Sequence, residues 1–311
     1  MEEKIGGVVL NYDYYNGQDL YSDGDEMEEC ILGIVKSETG YEYYHPEYKH
    51  WPVMYHLTRQ RENITVPMDI CPKDEVLEIG SGMGAITGAL ARRAGRVECI
   101  ELSKRRSLVN AYRHRDYDNI HITVGNFQDI VIEKKYDVIT LIGVLEYAYH
   151  YINSKSPYED FVDKMAKCLK PNGKLYVAIE NKLGLKYFAG YHEDHLGYPF
   201  VGLEGYNKQD KVRTFTRSEL QNLLKNNGFS NVQFYYPFPD YKLPSVIYHE
   251  SVFDVTDIEF PEDSNYDMPI IHNFNMNRVF AGLKGTDERK ILSNSFLVEA
   301  IKRTIDEKII D

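Results

Sequence analysis

Cysteine is scarce in this chain: Cys30, Cys71, Cys99 and Cys168 are the four in 311 residues. None is close to another, which speaks against a disulfide framework or a zinc-ligand spacing and favours reduced, packed thiols. Long apolar runs are missing too. The N-terminus opens Met1-Glu2-Glu3-Lys4, with neither a basic start nor an apolar stretch behind it, so no signal peptide and no membrane span are expected and a cytoplasmic location is the default. Positive charge is in deficit. With 36 basic against 48 acidic side chains the formal charge is -12, which argues against an extended nucleic-acid partner, since that affinity rests on basic clusters. The densest basic spots, Arg92-Arg93 and Lys104-Arg105-Arg106, read as solvated helix positions. Internal repeats and low-complexity tracts are also absent.

What is abundant is tyrosine, with 26 residues and a cluster from Tyr12 to Tyr55 that reads first as ordinary packing and second as a pocket wall. More informative is Val76-Leu77-Glu78-Ile79-Gly80-Ser81-Gly82-Met83-Gly84. Its apolar residues suit a strand buried on both faces, and its glycines suit a sharp turn that brings bare backbone against a ligand. A helix is expected over 85–95. Gly80, Gly82 and Ala85, with Glu101 about 20 residues on, also fit a dinucleotide fingerprint. Glu78 separates the two cases. A carboxylate two residues before the first glycine disfavours a pyrophosphate and tolerates a cationic, phosphate-free adenosine compound.

With this acid-x-Gly-x-Gly-x-Gly motif the sequence resembles class I S-adenosylmethionine (SAM) methyltransferases. Further segments extend the resemblance: Arg96-Val97-Glu98-Cys99-Ile100-Glu101 is similar to the second strand, and Ile122-Thr123-Val124-Gly125-Asn126-Phe127 to the third strand and adenine loop. Tyr136 to Tyr147 resembles the fourth strand, and Leu169-Lys170-Pro171-Asn172-Gly173-Lys174-Leu175 the turn into the fifth. The resemblance implies a Rossmann-like, doubly wound α/β sheet with a final antiparallel strand, SAM as cofactor and S-adenosylhomocysteine as product. It implies cofactor contacts at Glu78, Gly80, Gly82, Gly84, Glu101, Leu102, Asn126, Phe127 and Gly143. Asn126 stands where many members carry Asp; an amide oxygen can still accept from adenine. Arg61, on a helix expected over 50–64, is placed to pair with the cofactor's carboxylate.

The chain divides into an N-terminal cap (1–50), a cofactor-binding core (51–180), a lid or substrate insertion (181–213), a core helix and strand (214–236), a second insertion (237–290) and a final strand with tail (291–311). Thr216 and Glu219 form a capping-box signature. Segments such as Tyr55 to Ile64, Ile179 to Tyr187, Glu193-Asp194-His195 and Phe234 to Tyr241 resemble bacterial methyltransferases associated with glycosyltransferases of surface-glycan pathways. That likeness implies a sugar-linked or other small polar acceptor.

In-line transfer from a sulfonium needs alignment first, and a base if the acceptor is a hydroxyl. His195 is the expected general base, because imidazole titrates near neutrality. Glu146, at the end of the fourth strand, is expected to orient the acceptor or the sulfonium. Glu180, Asn181, Lys186 and Tyr187 are expected at the substrate. His192-Glu193-Asp194-His195 also offers metal-type donors, but lacking a third, distant ligand group it is not expected to hold a metal. A nicotinamide-dependent oxidoreductase and a non-catalytic SAM-binding scaffold are the rival readings. The oligomeric state is not legible.

Overall fold

In the computed structural model, residues 1–19, 22–37, 50–207, 209–260 and 271–303 are described. Tyr21, Tyr41, Tyr43, Tyr44 and Tyr48 of the expected tyrosine cluster, the acidic stretch within 261–270 and the tail 304–311 lie outside them. The apolar run predicted as the first core strand is a strand, Glu75–Ile79, with Val76, Leu77 and Ile79 buried. Two strands precede it, so it is β3 here. β1 (Glu2–Ile5) and β2 (Val8–Tyr14) come before it; β4 (Arg96–Glu101), β5 (Ile120–Gly125), β6 (Tyr136–Ile142), β7 (Leu169–Glu180), β8 (Phe229–Phe238), β9 (Val246–His249) and β10 (Ser295–Lys302) follow.

All ten strands join one sheet in the order β1-β2-β5-β4-β3-β6-β7-β10-β8-β9. Pairing is parallel from β2 through β7, while β10 runs antiparallel to both β7 and β8. The sheet therefore has the expected Rossmann-like plan with its final antiparallel strand. Its centre reverses direction of winding between β3 and β6, and ligands of open α/β sheets bind at the carboxyl ends beside that switch.

The N-terminus departs from the expected cap. Val8 and Leu10 point inward and are fully buried, so the second strand extends the sheet by pairing with β5. Gly6-Gly7 makes the reversal, where a Cβ on Gly7 would fall 2.2 Å from the Tyr117 carbonyl oxygen. Glycine there allows backbone to lie on backbone. Helix Asp25–Lys36 then crosses to helix Lys104–Arg113, and Ile31, Val35, Val53, Leu57 and Val109 form a separate apolar cluster between them.

Two expected helices are shorter than their sequence patterns suggested. The one over 50–64 breaks at Thr58, whose extended backbone (ψ 137°) and Oγ1, accepting from the Gln60 N–H at 3.3 Å, end helix Trp51–Leu57 and start a 3-10 helix, Arg59–Thr65. The one over 85–95 is reduced to Thr87–Ala91, because the chain stays in glycine-rich turns until residue 86. Helix Arg217–Asn226 forms the full capping box, with Thr216 Oγ1 accepting from the Glu219 N–H at 3.1 Å and Glu219 Oε2 accepting from the Thr216 N–H at 2.9 Å.

Candidate active site

A cavity of about 360 Å³ lies at the carboxyl ends of β3, β4 and β6. Gly80, at φ +71°, carries the turn off β3, and its missing Cβ leaves room for the Val144 side chain, which would otherwise be 2.4 Å away. Gly82, at φ +52°, exposes its backbone to the cavity and donates its N–H to Glu101 Oε2 at 2.7 Å. The other Glu101 oxygen accepts from the Ser103 N–H at 2.9 Å. Burial raises the Glu101 pKa, against the pull of Arg106 and these N–H groups. Leu102, Asn126, Phe127 and Gly143 also line the cavity. Asn126 is already committed within the loop: its amide donates to the Tyr151 carbonyl at 2.9 Å and its oxygen accepts from the Gln128 N–H at 3.1 Å.

Two residues of the glycine motif are placed elsewhere. Glu78 does not face the large cavity; its carboxylate turns under the following helix and accepts from Thr87 Oγ1 at 2.6 Å. Complete burial pushes its pKa up to about 7, with the Thr87 and Cys99 hydrogen bonds opposing. It borders only a smaller space that it shares with Arg61 and Gly80. Gly84 packs against helix Lys104–Arg113, where a Cβ would lie 2.4 Å from Asn110 Oδ1. Both residues shape the turn from behind.

Arg61 reaches the cavity from the 3-10 helix, with its guanidinium 3.9 Å from the centre of the Tyr55 ring. It is buried, and among the described residues it has no hydrogen bond or ion pair. A buried guanidinium held over an aromatic face and left without an anion is a ready carboxylate seat. His56, nearby, bonds Asp23 Oδ2 at 2.8 Å; burial lowers its pKa to about 4, so a neutral imidazole donates to the carboxylate, which Arg106 also pairs.

The far end of the cavity is polar. Segment 181–213 folds over the ends of β6 and β7 and brings His195 against both Glu146 and Glu180. His195 Nε2 lies 3.6 Å from Glu146 Oε1 and 3.8 Å from Glu180 Oε2, and its Nδ1 bonds Glu193 Oε1 at 2.9 Å. The second oxygen of Glu193 accepts the N–H groups of His195 and Leu196 at 2.8 and 2.7 Å. Burial opposes a charge on His195, but Glu180, Glu146 and Glu193 outweigh it and hold the imidazole well above its usual pKa. Burial raises the Glu146 pKa against the His195 contact, and Glu180 adds to the rise. This is a different environment from that of the free general base expected of His195: its nitrogens already face three carboxylates.

Beside this cluster, Lys242 Nζ bonds Glu180 Oε1 at 2.8 Å and Asp194 Oδ1 at 2.6 Å, and Lys186 Nζ bonds Asp194 Oδ2 at 2.7 Å. Lys186 lines the cavity, but Glu180, Asn181 and Tyr187 do not; Glu180 is fully buried behind His195 and Lys242. The Tyr187 hydroxyl donates to Asp194 Oδ2 at 2.5 Å. The Asn181 amide donates to the Ile291 and Ser293 carbonyls at 2.7 and 2.6 Å, tying β7 to the entry of β10. These contacts support the site's walls. Asp240 and Lys242, on the loop after β8, line the cavity and were not singled out from sequence. Only the Pro239-Asp240-Tyr241 turn hints at them, and its position depends on the sheet.

Comparison with known proteins gives this arrangement its class. The profile of a family described as a methyltransferase domain matches residues 55–234, more than half of the chain, and the chain belongs to that family. The sheet order and the glycine turn are those of a methyltransferase domain. A ubiquinone biosynthesis O-methyltransferase of Dictyostelium discoideum is 27% identical over 128 residues, 37% of each chain. A demethylmenaquinone methyltransferase of Tropheryma whipplei is 28% identical over 168 residues, 51% of this chain and 67% of the other. A ribosomal RNA small subunit methyltransferase A of Streptococcus equi subsp. zooepidemicus is 31% identical over 123 residues, 33% of this chain and 42% of that one. This chain spans less than half the length of the first curated relatives it matches. Among solved structures, a phosphoethanolamine N-methyltransferase 1 of Haemonchus contortus, in complex with phosphoethanolamine and S-adenosylhomocysteine, shares the fold. Its TM-score is 0.50 at 11% identity, covering 92% of this chain and 50% of that one.

The family matched is a methyltransferase one, not a nicotinamide-dependent one. Among the described residues no helix is long and apolar enough to cross a membrane.

Proposed function

We propose that the enzyme methylates an oxygen or nitrogen of a small polar metabolite, most simply a sugar or glycan precursor. The observation that carries this reading is the continuity of one cavity from the Gly80–Gly82 turn and Glu101 to Glu146, Lys186 and His195. A cofactor at the glycine end would put its sulfonium toward the polar end. In this reading Glu101 takes the ribose hydroxyls, Leu102, Asn126 and Phe127 flank the adenine, Gly143 lets the chain pass close, and Arg61 takes the carboxylate. Glu78 and Gly84 serve the turn without touching the ligand.

At the polar end, Glu146 and Glu180 each keep one buried oxygen without a hydrogen-bond partner among the described residues. Glu146 is the one that lines the cavity, and an alcohol's proton is taken up at its free oxygen as the alcohol's oxygen attacks the methyl carbon. His195 holds Glu146 in place instead of being the base itself, and Glu193 fixes the imidazole. The hydroxyl-rich acceptor class is supported by this polar lining, by the Trp51 and Tyr55 rings stacked 5.3 Å apart at the cavity wall, and by the resemblance to glycan-pathway enzymes. A negative overall charge supports a small acceptor over an extended nucleic acid.

Incubation with methyl-labelled SAM and a panel of nucleotide sugars, free sugars and glycan fragments tests the reading, with the methylated atom identified by NMR. Transfer to a sugar hydroxyl or amine is expected. Transfer confined to a quinol or to RNA would replace the acceptor class, and S-adenosylhomocysteine binding without any transfer would favour a non-catalytic SAM-binding protein.

A further inference from the structure

Two buried carboxylates, each with an oxygen lacking a hydrogen-bond partner, lie around one imidazole nitrogen. Glu146 Oε2 and Glu180 Oε2 have no hydrogen-bond partner among the described residues, and both residues are almost wholly buried, at 1% and 0% exposure. An unpaired buried carboxylate oxygen is expensive, so a group that completes its coordination is expected. We propose that Glu146, Glu180 and His195 form a binding site for one divalent transition-metal cation, which seats the acceptor's oxygen beside the transferable methyl; the acceptor part of this inference rests on the methyl-transfer reading above.

The geometry fits three ligands on one face of a cation. One ligand atom from each residue lies within 4.8 Å of the others. His195 Nε2 stands 3.6 Å from Glu146 Oε1 and 3.8 Å from Glu180 Oε2. Adjacent ligands at bond lengths near 2.1 Å are about 3 to 3.5 Å apart, so a contraction of a few tenths of an ångström brings the imidazole nitrogen into range with each carboxylate. Glu193 supplies what such a histidine needs behind it: a carboxylate on Nδ1, 2.9 Å away, that fixes the ring and leaves Nε2 for the cation. Lys242 on Glu180 Oε1 leaves Oε2 as the ligating oxygen. Two carboxylates with one imidazole suit manganese, iron or zinc.

His192-Glu193-Asp194-His195 by itself lacked a distant ligand, and the fold supplies two, from the ends of β6 and β7. Binding of the cation at Nε2 replaces the proton that the carboxylates otherwise hold there. An acceptor hydroxyl seated on the cation loses its O–H proton to Glu146 Oε2. Its oxygen forms a bond to the methyl carbon as the carbon–sulfur pair returns to sulfur, giving the thioether product. The cation is neither oxidised nor reduced.

The test measures Mn²⁺ binding to chelator-treated full-length protein with S-adenosylhomocysteine present and no acceptor, by electron paramagnetic resonance titration. One saturable equivalent is expected. Glu180→Gln and His195→Ala should each weaken it at least tenfold while the thermal shift with S-adenosylhomocysteine persists. Glu193→Gln, a change at a positioning residue, should weaken it by about 10- to 100-fold. Crystals soaked in Mn²⁺ should show an anomalous peak among the three side chains, which decides the question if a variant fails to fold. Absence of a saturable equivalent, binding that survives both ligand substitutions, or a peak elsewhere overturns the site. Those results would leave methyl transfer standing, whereas loss of the S-adenosylhomocysteine response in the unaltered protein would count against the cofactor seat instead.

Discussion

At the scale of single residues, the chain separates groups that line the cavity from groups that pack behind its wall, and sequence position does not distinguish them. Glu101 was legible, because an acid at the end of the second core strand has one place to go. Glu78 was legible as an acid beside the turn, but its rotamer, set by Thr87, was not. Its protonation makes a prediction. A folded pKa near 7 against an ordinary 4.5 means the folded state binds the extra proton, so the associated stability is complete below about pH 4.5 and disappears as pH rises through about 7. The loss is on the order of 3 kcal/mol over that window. Glu78→Gln should flatten the fall in stability between pH 5 and 8, measured by urea unfolding at several pH values. Parallel curves for the two proteins would mean that Glu78 ionises normally. Arg61→Ala should weaken SAM and S-adenosylhomocysteine binding by about ten- to a hundredfold, the size of a lost hydrogen-bonded charge, with little change in melting temperature. Calorimetric affinities within twofold of each other would remove Arg61 from the carboxylate.

At the scale of elements, local signals were read well where they are self-contained. The Thr216–Glu219 capping box needs only four residues to declare itself, and it is formed. Thr216→Ala should cost about 1 kcal/mol in denaturant unfolding without altering cofactor affinity. Helix ends that depend on neighbours were misjudged. Thr58 interrupts a pattern that continues in sequence, and the turn after β3 uses residues that periodicity assigned to a helix. The two N-terminal strands were hidden by an acidic, turn-rich setting, although Val8 and Leu10 alternate as a half-buried strand does. At Gly80, an alanine would meet both a left-handed backbone angle and Val144, so Gly80→Ala should destabilise the protein by about 1 to 3 kcal/mol. A variant of unchanged stability and cofactor affinity would show that the loop relaxes freely.

At the scale of the whole molecule, alternation of strands and helices was enough to foresee a parallel sheet with a site at its carboxyl edge, because handedness and short connections leave few arrangements. Which side chains meet there was beyond that reasoning. His195 reaches Glu146 across 49 positions of sequence only because segment 181–213 returns over β6 and β7, and no periodicity encodes that return. The net charge of -12 also acts at this scale. An rRNA fragment at physiological salt should bind no tighter than about 10⁻⁵ M, the level of unspecific phosphate attraction, in filter-binding assays. Tighter binding with a steep salt slope would point to an RNA acceptor instead.

The position of β10 has a consequence for how the protein is made. This strand lies between β7 and β8, yet it is translated after both. Until it leaves the ribosome, the nascent chain carries an open slot in the middle of its sheet, with Val177 and Ile179 lacking the neighbour that later shields them. Synthesis at about 5–20 residues per second leaves that slot open for several seconds after β7 has emerged. Chaperone occupancy should therefore concentrate on this interval, and premature termination just before β10 should yield aggregates in place of a smaller, working enzyme.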